Sequence, residues 1–245
     1  MRELRDRLQE QGASIVPPIH LLAGGPGSDR QHLVGLLREA LDTAGCRAPR
    51  VAYVGAANGD DAGFFRRVAG LLREAGAAEV VLAPTRRPAD AASCRAVLAS
   101  SQAVFVSGGD VAAGMAALNA AGAVPLLRAR HADGVPLVGL SAGSIMLGRA
   151  WIAWDDPAQD ATAKVFPCLD LAPLICDVHG EEDDWPELRA LLARQSDDPV
   201  GHGIVALAML RVHADGRLEA VGTAVHRFVH TRGSVVRAED LTPRR

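Results

Sequence analysis

The sequence predicts an α/β fold in which helices flank a doubly wound, mostly parallel sheet. Up to about residue 150, short apolar segments alternate with helical segments of about ten to fifteen residues, as in a parallel sheet covered on both faces. Beyond about residue 152 the apolar segments shorten and turn residues become frequent, which predicts antiparallel strands near the C-terminus. No repeat or low-complexity linker divides the 245 residues, so we expect one domain, 1–245, with residues 1–18 as an N-terminal extension.

Each predicted strand is a short apolar run that ends at a turn or loop. The strands of the parallel sheet are predicted at residues 20–23, 51–55, 80–83, 103–106 and 136–140. Helices are predicted at residues 1–12, 30–44, 62–75, 89–100 and 143–147, with one more running through Leu118. Later apolar segments at 204–212 and 218–222 flank the hairpin turn Ala214-Asp215-Gly216. We expect the C-terminal third to add antiparallel strands to the same sheet.

Composition and charge exclude several classes of partner. Charged residues make up 22% of the chain, the formal net charge is -3, and the two signs are interspersed. Because no basic stripe is present, neither nucleic acid nor an anionic membrane is expected as a partner, and a small substrate is favoured. No run of about 18 apolar residues occurs, and the charged first residues do not resemble a secretory signal. The four cysteines form no Cys-x-x-Cys pair, so we expect reduced thiols and a cytoplasmic protein.

Three glycine-rich loops follow predicted strands, at residues 24–27, 107–110 and 139–143. Functional groups gather at the carboxyl ends of strands in a parallel sheet, so these loops are candidate site loops. The third loop, Gly139-Leu140-Ser141-Ala142-Gly143, fits Gly-x-Ser-x-Gly, in which two glycines permit a strained turn that exposes the serine. Ser141 is therefore a candidate nucleophile, and the N–H of Ala142 at the following helix can bind an oxyanion. The competing interpretation is a glycine-rich turn that packs a helix against the sheet.

A serine nucleophile needs a base, and His179 is the first candidate. It follows the apolar run 171–175, so we expect it at the end of a strand. His202, in Gly201-His202-Gly203, is the reserve candidate, whereas the other six histidines have no comparable setting. Taken alone, a histidine after a strand is more often structural than catalytic.

Four features in a fixed order carry a family resemblance. They are Gly24-Gly25 after the first strand, the loop Ser107-Gly108-Gly109-Asp110, the turn 139–143 continued by Ser144, and a histidine a few tens of residues later. On these residues the chain resembles peptidase family S51, the serine peptidases that include aspartyl dipeptidase (peptidase E) and cyanophycinase. That resemblance implies a flavodoxin-like three-layer sandwich similar to class I glutamine amidotransferases, with serine in place of cysteine.

The resemblance also implies roles for individual residues. Ser141 becomes the nucleophile, His179 the general base, and the N–H groups of Gly109 and Ala142 the oxyanion hole. Asp110 stands where the family has Asp or Asn beside that hole, which makes it a candidate substrate-binding residue. Its other interpretation is an N-cap of the helix that begins at Val111, and both roles are compatible. The family allows a monomer or a homodimer, and no cofactor is implied.

Two departures from the family pattern concern carboxylates. The acidic residue expected on the strand after the histidine is missing from residues 201–210, where Ala206 is our estimate of its position. Loss of that carboxylate can cost about ten-thousandfold in rate, and Asp177, Glu181 or Glu182 could substitute for it. The second departure is Glu181-Glu182-Asp183-Asp184-Trp185, which stands where peptidase E reads an acidic substrate with arginine.

The acidic run has two interpretations. As substrate-binding residues, Glu181 and Glu182 would repel an acidic group and attract a cationic one, which disfavours aspartyl specificity. Alternatively the run is the solvated first turn of a helix at 185–194, where carboxylates suit the helix dipole. Trp151 and Trp154 could likewise wall a substrate pocket or pack into the core.

Other chemistries fit the sequence less well. His179, Glu181, Glu182 and Asp183 match no familiar zinc or calcium spacing, so no metal is expected. The segment 24–29 lacks the ending of a phosphate-binding P-loop. The sequence thus predicts a serine hydrolase that acts on small peptides or related amides. A protein of this fold that binds a ligand or partner without turnover, and an amidotransferase-like enzyme using Cys176, are the alternatives.

Overall fold

The structure is a computed structural model that describes residues 16–24, 29–156, 158–197, 199–231 and 233–243. The helix predicted at residues 1–12 lies outside the described residues.

A seven-stranded sheet forms the centre of the molecule, with the strand order β11-β10-β1-β5-β4-β2-β3. Its strands are β1 (Ile19–Leu22), β2 (Arg50–Val54), β3 (Glu79–Ala83), β4 (Ala103–Val106), β5 (Leu137–Leu140), β10 (Ala208–Val212) and β11 (Leu218–Gly222). The first five strands pair in parallel, and β10 and β11 pair antiparallel at one edge. The predicted doubly wound, mostly parallel α/β fold is therefore confirmed.

Helices cover both faces of this sheet because successive strand residues point to opposite sides. On β2, Ala52 and Val54 pack into one apolar cluster, whereas Val51 and Tyr53 pack into another. Both clusters are buried, so neither face of the sheet is left to solvent. The helices are α1 (Arg30–Asp42), α2 (Ala62–Glu74), α3 (Ala91–Ala99), α4 (Val111–Ala120), α5 (Ala123–Ala132), α6 (Ala142–Leu147) and α7 (Pro186–Leu192).

The remaining strands form two smaller sheets. A hairpin pairs β6 (Ala150–Trp154) with β7 (Ala163–Pro167). A four-stranded sheet has the order β13-β12-β9-β8 and consists of β8 (Ile175–Val178), β9 (Val200–Ile204), β12 (Val225–Thr231) and β13 (Ser234–Leu241). The expectation that the C-terminal third adds antiparallel strands to the central sheet is confirmed by β10 and β11, whereas β8, β9, β12 and β13 form a sheet of their own.

A separate apolar cluster explains the second sheet. Trp185, Leu188 and Leu192, from α7 and the residue before it, pack with Ile175 of β8 and Phe228 of β12, and all five are buried. Burying large side chains of this kind stabilises by roughly 1.5–3 kcal/mol each, so the cluster holds β8, β9 and β12 together as a sheet of their own.

One helix was not predicted. Gly122, with φ +62°, lies between the end of α4 and the start of α5, and the first turn of α5 contains Pro125. The two helices meet at 90°. Within the part of the chain that the structure describes, no single helix is long and apolar enough to cross a membrane. Of the described helices, α4 and α5 reach that length and apolarity only when the two are taken together.

Candidate active site

Ser141 occupies a strained turn between β5 and α6. Its backbone has φ 54° and ψ -124°, a region that side-chain-bearing residues rarely adopt. The flanking glycines make the turn possible: a Cβ on Gly143 would lie 2.0 Å from the carbonyl oxygen of Val106, and one on Gly139 would lie 2.7 Å from the backbone nitrogen of Ser144. We call residues 139–143 the Ser141 turn.

Hydrogen bonds fix the Ser141 turn to the end of the neighbouring strand β1. The N–H of Ser141 donates to the carbonyl oxygen of Leu22 at 2.8 Å. The buried hydroxyl of Ser144 donates to the same carbonyl at 2.8 Å and accepts from the N–H of Leu22 at 2.9 Å. Together these three hydrogen bonds hold the Ser141 turn against the end of β1.

His179 directly follows β8 of the four-stranded sheet, and its side chain contacts Ser141, which follows β5 of the seven-stranded sheet. Its Nε2 lies 3.2 Å from Oγ of Ser141, within hydrogen-bonding distance. The residue has φ +63°, a left-handed conformation that the next residues hold in place. The N–H of Trp185 donates to the carbonyl of Gly180 at 2.9 Å, and the indole packs so closely on Gly180 that a Cβ there would lie 2.7 Å from the ring.

The environment of His179 favours a neutral imidazole. Burial lowers the pKa of His179 below its usual value, and the carboxylate of Glu181 partly opposes this shift. A neutral imidazole has one ring nitrogen free to accept a proton, which is the state that a general base needs.

The loop after β4 lies against the serine. A Cβ on Gly108 would be 3.0 Å from Cβ of Ser141, and Gly109 has φ +145° with its Cα against the carbonyl of Ala57. Asn58 supports the loop, since its amide donates to the carbonyl of Gly108 at 3.0 Å. The N–H of Asp110 donates to the carbonyl of Ala57 at 2.8 Å. These contacts hold the loop in one position beside the hydroxyl.

Two backbone donors beside Ser141 are unoccupied. Among the described residues, no hydrogen-bond acceptor is paired with the N–H of Gly109 or with that of Ala142 at the start of α6. Both residues line the same cavity as Ser141. Asp110 lines it too, and its Oδ1 accepts from the N–H of Ala113 at 2.7 Å, so the N-cap that the sequence suggested is present.

The cavity in front of Ser141 has a volume of ≈ 340 Å³ and is lined by acidic side chains. Its carboxylates come from Asp110, Asp177, Asp183 and Glu187, and no lysine or arginine of the described chain lines it. Trp151 forms part of the wall. The site therefore presents negative charge to whatever enters it.

Asp177 is the most deeply placed of these carboxyl groups. It is 4% exposed on β8, and burial raises its pKa from 3.8 to about 7, although the N–H groups of Val178 and Leu188 hydrogen-bond to it. The nearby charge of Glu187 raises the pKa further. Near neutral pH this group is therefore close to its titration midpoint.

Glu181 and Glu182, which the sequence suggested for substrate binding, lie outside the cavity lining. Oε1 of Glu181 accepts a hydrogen bond from the N–H of Ala206 at 3.0 Å, and Glu182 is exposed. The acidic run 181–184 forms a turn before α7 rather than its first turn, because the helix begins at Pro186. Within the described chain, no carboxylate is hydrogen-bonded to His179.

The reserve histidine is not close to the serine. His202 is buried on β9, its Nδ1 lies 3.3 Å from the carbonyl oxygen of Ile175, and burial lowers its pKa to about 4. Trp154 does not line the cavity, and its indole lies 3.5 Å from Asp160.

Three residues of the site were not predicted as site residues by the sequence analysis. Asn58 stands in the turn after β2, and the rule that functional groups follow strand ends could have found it. Asp183 and Glu187 were not distinguished from their acidic neighbours, because their placement depends on the left-handed residues Asp184 and Trp185. Across the described residues, no group of three or more His, Cys, Asp or Glu side chains is arranged to hold a metal ion.

Comparison with known proteins supports this architecture. The model of peptidase family S51 matches residues 19–217. A peptidase from an acI-B1 actinobacterium has a TM-score of 0.69 at 16% identity, over 92% of this chain and 98% of its own. A peptidase E-like protein of Listeria monocytogenes EGD-e has a TM-score of 0.59 at 15% identity, over 84% of this chain and 98% of its own. No curated protein sequence matches, and at these identities the solved structures bear on the fold alone.

Proposed function

The chain belongs to peptidase family S51, and we propose that it is a serine peptidase that cleaves small peptides or related amides through an acyl-enzyme on Ser141. The observation that carries the proposal is the 3.2 Å contact between Oγ of Ser141 and Nε2 of His179, in a turn with the strained backbone of a nucleophile elbow. Covalent catalysis needs such a pair of nucleophile and base within hydrogen-bonding distance.

The proposed reaction begins with a neutral His179. Its Nε2 takes the hydroxyl proton of Ser141 while Oγ bonds to the carbonyl carbon of the scissile amide, and the carbonyl electron pair moves to the oxygen. Collapse of this tetrahedral species breaks the C–N bond, and the leaving amine receives the proton from Nε2. Water then attacks the ester with the same help from His179, which releases the acid and restores Ser141.

The N–H groups of Gly109 and Ala142 are the proposed oxyanion hole. Both flank Ser141 in the cavity, and neither has another partner in the described chain. Asn58 contributes by holding the carbonyl of Gly108, whose peptide unit carries the N–H of Gly109. Donors fixed in advance stabilise the developing oxyanion without reorganising, which makes them a major source of rate.

The preferred substrate is proposed to carry a positive charge. Asp110, Asp177, Asp183 and Glu187 line the cavity, and no lysine or arginine of the described residues lies among its lining. An ammonium or guanidinium group is attracted to such a site, whereas an aspartyl side chain is repelled. The cytoplasm remains the proposed location, in keeping with the free thiols of all four cysteines.

Ligand binding without turnover is the second candidate function. It is favoured by one observation, the lack of a carboxylate hydrogen-bonded to His179 among the described residues. An amidotransferase-like reaction on Cys176 is disfavoured, because that thiol is buried, 1% exposed, and burial raises its pKa strongly.

Labelling with a fluorophosphonate tests the nucleophile directly. We expect the intact protein to be modified at Ser141, the Ser141→Ala variant to remain unmodified, and the Ser100→Ala variant, which loses an exposed serine at the end of α3, to label as fast as the parent. Peptide mapping of the adduct identifies the residue. Folded protein in which Ser141 stays unlabelled would contradict the peptidase proposal and favour the binding protein.

A further inference from the structure

Glu181 and Ala206 bring a carboxylate to the edge of the sheet that carries His179. Strands β8 and β9 pair in parallel, with Val178 opposite Ile204, so the residues that follow each strand emerge side by side. Across this edge the N–H of Ala206 donates to Oε1 of Glu181 at 3.0 Å. A side chain two residues after the histidine is thereby tied to the segment where the resemblance calls for an acid.

We propose that Glu181 is a positioning residue that acts on His179 through its charge and stabilises the protonated imidazole, at the edge of the sheet where the resemblance places an acid. The inference rests on the proposed function, since it concerns the same proton transfer. Within the described residues Glu181 makes no ion pair with lysine or arginine, so its charge is not already neutralised.

The other nearby carboxyl groups are less suited to this role. Asp177 accepts hydrogen bonds from the N–H groups of Val178 and Leu188, and burial raises its pKa to about 7, which disfavours the charged form that this role requires. Asp110, Asp183 and Glu187 line the cavity that the substrate would fill. Glu181 lies outside that lining, where it can support the imidazole without obstructing the substrate.

Electrostatics agree with the geometry. Among the described residues, the carboxylate of Glu181 raises the pKa of His179 against the lowering effect of burial. When Ser141 gives its proton to Nε2, the imidazole becomes an imidazolium, and a fixed anion lowers the energy of that state. The one proton that moves in this step passes from Oγ of Ser141 to Nε2 of His179.

The Glu181→Gln variant tests the proposal with little structural change. Its amide oxygen can still accept the hydrogen bond from Ala206, so only the charge is lost. We expect kcat to fall about 2- to 5-fold with KM unchanged, a smaller loss than for a buried triad acid because Glu181 is exposed and its charge is screened by solvent. We also expect the imidazole of His179, followed by NMR, to titrate at lower pH.

The matched control is Glu239→Gln, which removes an exposed carboxylate from β13 of the same sheet and should change neither property. An unchanged His179 titration in Glu181→Gln, or an unchanged kcat, would overturn the positioning role. The NMR titration needs no turnover. If the His179 titration does not move to lower pH in Glu181→Gln, the role of Glu181 is refuted. If Ser141 does not accept a fluorophosphonate, the peptidase proposal itself is refuted.

Discussion

Oγ of Ser141 lies 3.2 Å from Nε2 of His179, although the two residues follow strands of different sheets. Ser141 follows β5 at the centre of the seven-stranded sheet, and His179 follows β8 at the edge of the four-stranded sheet. The distance between these two atoms therefore depends on how the two sheets pack. Cys176 of β8 contributes to this packing, since it belongs to the same apolar cluster as Ile145 and Met146 of α6, the helix that Ser141 precedes.

Replacing Gly109 with alanine should cost activity rather than stability of the whole fold. A Cβ there would lie 2.0 Å from the carbonyl of Ala57, and the φ of +145° disfavours any side chain, so the loop must shift away from Ser141. We expect kcat to fall about 100-fold or more, the size of effect seen when one oxyanion donor is lost. Steady-state kinetics on a peptide amide measures it.

The control for this change is Gly70→Ala, in the interior of α2, where an added Cβ meets nothing within 4 Å. Alanine should keep full activity there and stabilise the helix by roughly 0.5–1 kcal/mol. Equal kcat for Gly109→Ala and the parent would show that the N–H of Gly109 does not bind the oxyanion.

Much of the central sheet could be predicted because its strands are continuous apolar runs bounded by loops. The strand Ala103–Val106 was predicted with its observed bounds, and the Ser141 turn was predicted from two glycines whose need is local. Strands and turns that depend only on residues adjacent in the chain could therefore be predicted from the sequence. His179 was likewise predicted to follow a strand, because it comes after an apolar run.

The second sheet and the cavity charges could not be predicted, because they depend on contacts between distant residues. Trp185 packs on Gly180 and Gly203, 23 residues apart in the chain, and so connects the segment after β8 with strand β9. Asp184 and Trp185 both have φ +61°, and in the turn before α7 Asp183 lines the cavity whereas Glu182 does not. Hydropathy carries no signal for either arrangement.

Substrates with a cationic side chain should be preferred over acidic ones. Neutralising Asp183 and Glu187 together, as Asn and Gln, should raise KM for a lysine- or arginine-containing peptide by about 3- to 10-fold, since both groups are partly solvated and screened. A neutral peptide of the same length serves as the control and should be unaffected. Equal KM values for cationic and acidic peptides in the parent enzyme would contradict a role for the cavity charges.

Asp177 should make the fold less stable as pH rises. Its pKa is about 7 in the folded protein, against 3.8 for an ordinary carboxyl group, so the folded state binds the proton more tightly. The resulting loss in the free energy of unfolding is absent below about pH 4 and grows as pH rises. It is complete above about pH 7, where it reaches up to about 4 kcal/mol. Asp177→Asn should therefore gain stability relative to the parent between pH 4 and pH 8.

Urea denaturation at the two pH values measures this difference. Asp42→Asn, which changes an exposed residue at the end of α1, should shift stability equally at both. A pH-independent effect of Asp177→Asn would mean that the carboxyl group is not held protonated by burial.

The pH dependence of turnover should report His179 rather than Asp177. Burial lowers the pKa of His179, so the neutral base persists to lower pH than for a free histidine. For a neutral substrate, kcat/KM should rise with pH along a single acid limb whose midpoint lies below the ordinary 6.5. Because Asp177 titrates at about 7, a limb caused by that group would lie higher. The midpoint should consequently stay in place in Asp177→Asn, and a limb that disappears in this variant would assign the essential ionisation to the buried carboxyl group instead of the imidazole.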